Sequence, residues 1–353
     1  MSLRHFWICL LAVGAGFGQE LPAQTPPHTE HAQQGGFMQE GMHHAVAKGV
    51  TLDVKSDAAG HTFTIRIGPM TLPAHTPHMK MPQPPDLVWT LPISGWLLAY
   101  YPKLVDANGA PVAGTVLHHV AFWNENRSDF LCPNKEEHIF GAGGELTDWT
   151  QIPGYGYRVE KGDRIRIETM IHNPTATSYD KAYLEIRIPY FDDATPPPVK
   201  NYYPAWIDVG SCGQSAYDLL PGPSKKVGSV TAMYSGVLLG VGGHMHDYAQ
   251  QLTLEDSRSK DPVAVLPARV DPQGHLLSMP VVTFVEIGGY ALAAGDKLTT
   301  TATYDNTSGK ALREGAMGIV VGYFVPKDDS AFAALRHPAK TPPHDMGNMS
   351  HDH

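Results

Sequence analysis

The chain has 353 residues, 42% hydrophobic and 9% aromatic, which is enough for two domains with ordinary hydrophobic cores. The formal net charge of -9 at pH 7 argues against a nucleic-acid partner, because such a partner requires a basic face. Charged residues make up only 17%, glycine and proline number 35 and 30, and no long stretch has helical periodicity. This combination favours an all-β chain with many turns.

The N-terminus has the pattern of a secretory signal peptide. Arg4 precedes an apolar run from Phe6 to Phe17, and small residues follow near Gly18. The run is too short to span a bilayer, so we predict that residues 1–18 are cleaved off and that no stable membrane span remains. The mature protein is then expected to be secreted or periplasmic.

Two cysteines remain after this cleavage, Cys132 and Cys212. In an oxidising compartment they form either a single disulfide or two separate buried thiols. The sequence leaves both possibilities open.

The middle of the chain reads as two β-domains between polar tails. Alternation of apolar and polar residues in Thr62 to Ile67 is typical of a half-buried strand, and similar patterns recur along the chain. The tails lack periodicity and are expected to be mobile, and their histidines and methionines are side chains that bind copper. The predicted parts are a flexible His/Gln/Pro-rich segment at 19–45, an N-terminal β-sandwich domain at 46–193, a Pro-rich linker at 194–204, a C-terminal β-sandwich domain at 205–326, and a His/Met-containing tail at 327–353.

The two predicted domains repeat one pattern at an offset of 133 residues. Gly-Asp opens a strand at Gly162 and at Gly295, and an asparagine closes that strand at Asn173 and at Asn306. A Tyr-Phe pair ends a later strand in both halves. We interpret the pattern as a duplicated β-domain.

The first half contains three candidate metal ligands, His118, His119 and His172. Adjacent residues of a regular strand point to opposite sides, so His118 and His119 bind one ion only if a bulge or a strand end turns one of them. Three imidazoles form a site suited to copper or zinc.

The second half contains His244, His246 and Met317. In a strand, His244 and His246 project from the same face, so they are able to chelate one ion. Met317 is either core filler or a third ligand. Two imidazoles with a thioether form a soft set that favours Cu(I).

The ordered set His-His, His, His-x-His and Met over two β-domains resembles the copper type II, ascorbate-dependent monooxygenases, the group of peptidylglycine α-hydroxylating monooxygenase and dopamine β-monooxygenase. It also resembles the related stress up-regulated Nod19-type proteins. The resemblance covers about residues 50–326. It implies two tandem jelly-roll-like β-sandwiches. It also implies that His118, His119 and His172 hold an electron-transfer copper, and that His244, His246 and Met317 hold an oxygen-binding copper.

Three positions depart from the peptide-amidating member of that group. Its arginine for the substrate carboxylate corresponds to Gly242, and its asparagine and tyrosine after the methionine correspond to Ile319 and Val321. The resemblance therefore implies a substrate without a free carboxylate.

The leading hypothesis is a two-copper monooxygenase that hydroxylates a C–H bond of a small organic substrate, with O2 and with ascorbate or another one-electron reductant. We expect one copper site per domain, the two held apart across a cleft. The alternatives are a copper-binding or copper-handling protein without catalysis and a non-metal binding module on the same fold.

Overall fold

The computed structural model describes residues 45–144, 148–194 and 199–338, and the predicted all-β class is confirmed. The strands are β1 (Thr51–Asp57), β2 (Thr62–Leu72), β3 (Leu87–Thr90), β4 (Gly95–Leu97), β5 (Tyr101–Asp106), β6 (Leu117–Ser128), β7 (Glu136–Gly143), β8 (Tyr155–Val159), β9 (Arg164–Ile171), β10 (Tyr179–Asp192), β11 (Lys200–Asp208), β12 (Tyr217–Leu219), β13 (Gly222–Thr231), β14 (Gly236–His244), β15 (Ala249–Asp256), β16 (Ala264–Pro267), β17 (Arg269–Val270), β18 (Leu276–Ser278), β19 (Val282–Thr283), β20 (Tyr290–Leu292), β21 (Lys297–Asn306), β22 (Leu312–Ala316) and β23 (Ile319–Pro326). The short 3-10 helices are η1 (His78–Lys80), η2 (Gly114–Val116), η3 (Val285–Ile287) and η4 (Asp329–Leu335).

A long sheet forms one layer along the whole described region, in the order β1-β2-β10-β4-β8-β11-β23-β14-β19. Two four-stranded sheets, β3-β9-β6-β7 and β13-β21-β15-β16, form the opposite layer. Phe63 of β2 packs edge-on against Trp89 of β3 with ring centroids 5.2 Å apart, so the first pair of layers encloses an aromatic core.

The two halves share local geometry at the predicted offset. Asn173 donates to the carbonyls of Leu72 and Thr177, and Asn306 donates to those of Leu219 and Lys310. Their four-stranded sheets also have matching strand orders, with β9 and β21 in second place. These matches support the predicted duplication, and the jelly-roll arrangement of each half remains a prediction.

The junction between the halves is part of the long sheet. Strand β11 begins at Lys200, inside the predicted 194–204 linker, and pairs in parallel with β8 and antiparallel with β23. A disulfide joins Cys132, after β6, to Cys212, after β11, which decides between the two possibilities left by the sequence. Backbone pairing and a covalent bond thus both connect the first half to the second.

Removal of this disulfide should destabilise the protein substantially. The cysteines are 80 residues apart, for which the chain-entropy account gives a loss of about 4.5 kcal/mol in the free energy of unfolding. Denaturant unfolding of the Cys132→Ser, Cys212→Ser double variant measures this loss. An unchanged unfolding midpoint would contradict the prediction.

The prediction of a mobile tail from residue 327 is wrong for its first part. Helix η4 buries Phe332 and Leu335, and the Phe332 ring packs 4.3 Å from that of Tyr203. Arg336 then forms a salt bridge with Asp163 of the first half. These apolar residues lie in a seven-residue helix too short for a clear periodic pattern, which is why the sequence did not indicate a packed element.

The predicted signal peptide, residues 19–44 and residues 339–353 lie outside the described residues. Within the described ranges, no helix has the length and apolar character needed to cross a membrane.

Candidate metal centre

A β-bulge turns His118 and His119 toward a common space. In the pairing of β6 with β9, Leu117 lies opposite Ile171 but His119 lies opposite Met170, so the register shifts at His118. The extra residue breaks the alternation that otherwise separates neighbouring side chains. Their Nδ1 atoms are 3.1 Å apart. This is the bulge that a shared ion would require.

His172 follows the last residue of β9 and reaches the same place. Its backbone N–H donates to the carbonyl of Val116 over 3.1 Å, which holds it beside the start of β6. The ring centroids of His172 and His118 are 5.2 Å apart. The structure therefore brings together the three histidines predicted for the first site.

His244 ends β14, and His246 lies in the turn that follows. Their ring centroids are 5.4 Å apart. His244 pairs across the sheet with Ile319 at the start of β23, two residues after Met317. The strand end thus brings the predicted His-x-His motif close to the chain segment that carries the predicted thioether.

The two histidine sets meet. The ring of His118 lies 4.7 Å from that of His246, closer than it lies to its own neighbour His119 at 5.2 Å. Ring nitrogens of His118, His119 and His246 all lie within 4.8 Å of one another. The expected arrangement of two sites apart across a cleft therefore differs from this structure, in which the sets are in contact.

Burial within this cluster lowers the pKa values of its imidazoles. It lowers the pKa of His119 to about 3 and that of His172 to about 4, and nearby imidazoles contribute. The pKa values of His118 and His246 also lie well below the usual value, first because of burial. These rings are neutral at pH 7, which is the form that binds a metal.

Acid should therefore destabilise the metal-free protein. The folded-state pKa values of His119 and His172 are below the unfolded value of about 6.5, so the unfolded chain binds protons first as the pH falls. Stability from these groups is complete above about pH 6.5 and declines toward their folded pKa values. Melting temperatures of the metal-free protein from pH 7.5 to 5 test this, with a shallower decline expected for His172→Asn. A flat profile would contradict the expectation.

The donor set fits copper. Ligands of one tetrahedral ion at bond lengths of ~2.0 Å are separated by about 3.3 Å, close to the 3.1 Å between Nδ1 of His118 and Nδ1 of His119. Nε2 of His246 is buried and has no hydrogen-bond partner among the described residues. A metal ion would satisfy this acceptor, and neutral imidazoles favour copper or zinc over the hard cations.

Tyr304 connects the predicted ligands of the second site. Its hydroxyl accepts from the backbone N–H of His246 over 3.0 Å and from that of Met317 over 3.2 Å, and it donates to the Met317 carbonyl. Met317 itself is buried against Trp206 and Ile319. One buried phenol thus fixes the backbone on both sides of the site, a role that no motif in the sequence indicated.

Tyr304→Phe should destabilise the protein and weaken Cu(I) binding by the second set. The change leaves two N–H groups and one carbonyl without their partner, at roughly 1–3 kcal/mol for each group that stays buried and unsatisfied. Tyr217→Phe is the matched control, because the buried Tyr217 hydroxyl has no hydrogen-bond partner within the described ranges. Equal unfolding midpoints for the two variants would contradict the assigned role.

A cavity of about 380 Å³ opens beside the histidines, a volume typical of small-molecule sites. His119, His244 and Met317 are part of its wall, so both predicted metal sets face it. Apolar groups make up most of the remainder, including Trp149, Trp206 and Met279. The arrangement is able to hold an apolar molecule next to a metal.

The positions that depart from the peptide-amidating enzyme also face this cavity. Gly242, Ile319 and Val321 all belong to its wall. No lysine or arginine lines it among the described residues, and its acidic groups are Asp148 and Glu168. The described wall therefore has no cation to bind a substrate carboxylate.

Comparison with known proteins gives two relatives with similar names. The chain is 25% identical over 237 residues to "Probable copper-dependent oxygenase M1" of Phoma sp. (strain ATCC 20986 / MF5453), a match that covers 60% of this chain and 58% of that protein. It is 25% identical over 240 residues to "Probable copper-dependent oxygenase clz3" of Cochliobolus lunatus, covering 60% of this chain and 72% of that protein. No family model matches the chain.

Solved structures resemble the chain only weakly. A structure of PNGF-II has a TM-score of 0.32 at 9% identity, covering 87% of this chain and 66% of that one. The PBCV-1 VP54 structure has a TM-score of 0.27 at 6% identity, covering 82% of this chain and 96% of that one. At these scores the likeness supports no functional conclusion.

Proposed function

We propose that this protein is a copper-dependent monooxygenase that hydroxylates a C–H bond of a small, neutral and largely apolar substrate. The reaction consumes O2 with two electrons and two protons, and it yields the alcohol and water. Ascorbate or another one-electron donor supplies the electrons. The names of the two fungal relatives support copper-dependent oxygenation in general.

The observation that carries the proposal is the apolar cavity whose wall includes His119, His244 and Met317. A protein that only stores or transfers copper has no need for a cavity of about 380 Å³ at its metal ligands. A substrate bound there lies next to both ligand sets. The cavity therefore favours catalysis over copper handling.

In the proposed assignment, His118, His119 and His172 would hold an electron-transfer copper, and His244, His246 and Met317 would hold the copper for oxygen chemistry. Bound copper supplies one-electron chemistry and oxygen activation. The protein keeps the imidazoles neutral, orients the ligand segments through the β6 bulge and Tyr304, and excludes water with the aromatic wall around Trp206.

Export to an oxidising compartment is also part of the proposal. The disulfide between Cys132 and Cys212 supports it, because such bonds persist outside the reducing cytosol. The N-terminal pattern with its apolar run supports it independently.

Metal analysis and oxygen consumption of the purified protein test the function. The expected result is two coppers per chain and oxygen uptake that depends on both a reductant and a neutral apolar substrate. Two coppers without turnover would favour the copper-handling alternative. Absence of bound copper would count against the proposed enzyme. Efficient hydroxylation of glycine-extended peptides would count against the proposed substrate class.

A further inference from the structure

His78 belongs to the histidine cluster, although no motif connected it to the metal sites. It begins helix η1 and is half-buried, and its ring centroid lies 4.8 Å from that of His118. Four rings thus surround His118 at similar distances: those of His78, His119, His172 and His246. Three of these four, His119, His172 and His246, are copper ligands predicted from the sequence.

A buried glutamine holds the turn that presents His78. The side-chain N–H groups of Gln83 donate to the carbonyls of His78 and Ile171 over 3.1 and 3.0 Å. Its side-chain carbonyl accepts from the backbone N–H of Ile171 over 2.8 Å. Because His172 follows Ile171, the same side chain fixes both the His78 turn and the strand end that carries a predicted ligand.

The other side of His78 is tied to the same strand end. Thr76 and Asn173 exchange two backbone hydrogen bonds of 2.8 Å each. Asn173 is itself fully buried and fixed by hydrogen bonds from its side chain to two carbonyls. Hydrogen bonds on both sides of His78 therefore fix the position of its turn relative to the residues that flank His172. A loop that served only to cover the cluster would not need to be held in a fixed position in this way.

We propose that His78 is a fourth imidazole ligand of the copper held by His118, His119 and His172. The inference rests on the copper function proposed above. Cu(II) prefers a tetragonal arrangement of nitrogen and oxygen donors. A fourth nitrogen therefore stabilises the oxidised ion and lowers the reduction potential of this copper, which makes it a stronger electron donor to the second copper.

His78→Phe tests the proposal, because it keeps an aromatic ring beside His118 and removes both ring nitrogens. His75→Asn is the matched control: His75 is exposed on the same loop, and its φ of 50° lies in the left-handed region that asparagine tolerates. In protein loaded with two coppers, the measurements are Cu(II) affinity by competition, the nitrogen hyperfine pattern in the electron paramagnetic resonance spectrum, and the reduction potential.

We expect His78→Phe to weaken Cu(II) binding at the first site by at least about tenfold. Loss of a residue that only supports a metal ligand already has an effect of this size, and loss of a ligand should have no smaller one. The spectrum should change and the potential should rise, while His75→Asn behaves as the unmodified protein. Added imidazole should restore the spectrum in His78→Gly. Copper binding with unchanged affinity, spectrum and potential in His78→Phe would overturn the inference and leave the proposed function intact.

A second measurement needs no variant and covers the case in which His78→Phe does not fold. In the unmodified protein, bound copper should protect His78 from carbethoxylation by diethyl pyrocarbonate, read by mass spectrometry, while His75 stays reactive. Modification of His78 at the same rate with and without bound copper would overturn the inference. A protein that binds no copper would overturn the proposed function first.

Discussion

Met317→Leu should abolish oxygen uptake while leaving the metal-free protein almost as stable as before. Met317 is buried against Trp206 and Ile319, and leucine conserves its apolar volume, so the cost should be below about 1.5 kcal/mol. The change also deletes the thioether donor proposed for the second copper. Cu(I) should then bind more weakly at His244 and His246, because only two imidazoles remain and the soft thioether donor is lost.

Met279→Leu is the control for this experiment. Met279 is a second buried methionine in the wall of the same cavity, so its replacement has the same chemistry without the assigned ligand role. Melting of the metal-free protein, Cu(I) affinity and oxygen uptake should be measured on both variants. Unchanged Cu(I) binding and oxygen turnover in Met317→Leu would show that Met317 is a core residue and not a ligand. Loss of Cu(I) in Met279→Leu alone would transfer the ligand role to that residue.

The six predicted ligands were accessible from the sequence because each lies in a strand or within two residues of a strand end. Alternation along a strand predicts His244 and His246 on one side, although β14 ends at His244 and His246 follows in the turn. The same rule shows that His118 and His119 need a bulge. The structure has the register shift at that position. Strand periodicity therefore predicts this local irregularity from the sequence alone.

Contacts between distant segments were not accessible in this way. His78 follows Pro77 in a turn without periodicity, and its place in the cluster depends on hydrogen bonds from Gln83 to the end of another strand. Tyr304 resembles an ordinary core residue of an alternating strand until its hydroxyl is seen between His246 and Met317. Both roles depend on strand pairing across the fold, which a single sequence does not specify.

The contact between the two histidine sets has the same origin. Duplication predicted one ligand set in each half, but it gives no distance between the halves. That distance follows from the β8–β11 pairing and the disulfide, which hold the first half to the second. The ring of His118 consequently packs against that of His246.

His172→Ala and His118→Ala should therefore differ in their effect on copper. His172 has ring contact with His118 alone among the predicted ligands of the described region, so His172→Ala should lose about one copper and leave the second site filled. His118 contacts both sets, so His118→Ala should lose the first copper and also weaken Cu(I) binding at the second by about tenfold, the lower end for loss of a supporting partner. Both variants should lose reductant-dependent turnover.

Metal content, Cu(I) affinity and melting of the metal-free protein should be measured on the two variants in parallel. If both coppers vanish from folded His172→Ala, the two sets are not independent sites. If His118→Ala leaves Cu(I) affinity at His244 and His246 unchanged, the 4.7 Å contact between His118 and His246 has no effect on copper binding at the second site. In that case, the two ligand sets are in contact, but neither changes the affinity of the other for copper. The bulge at His118 would then serve the first site alone.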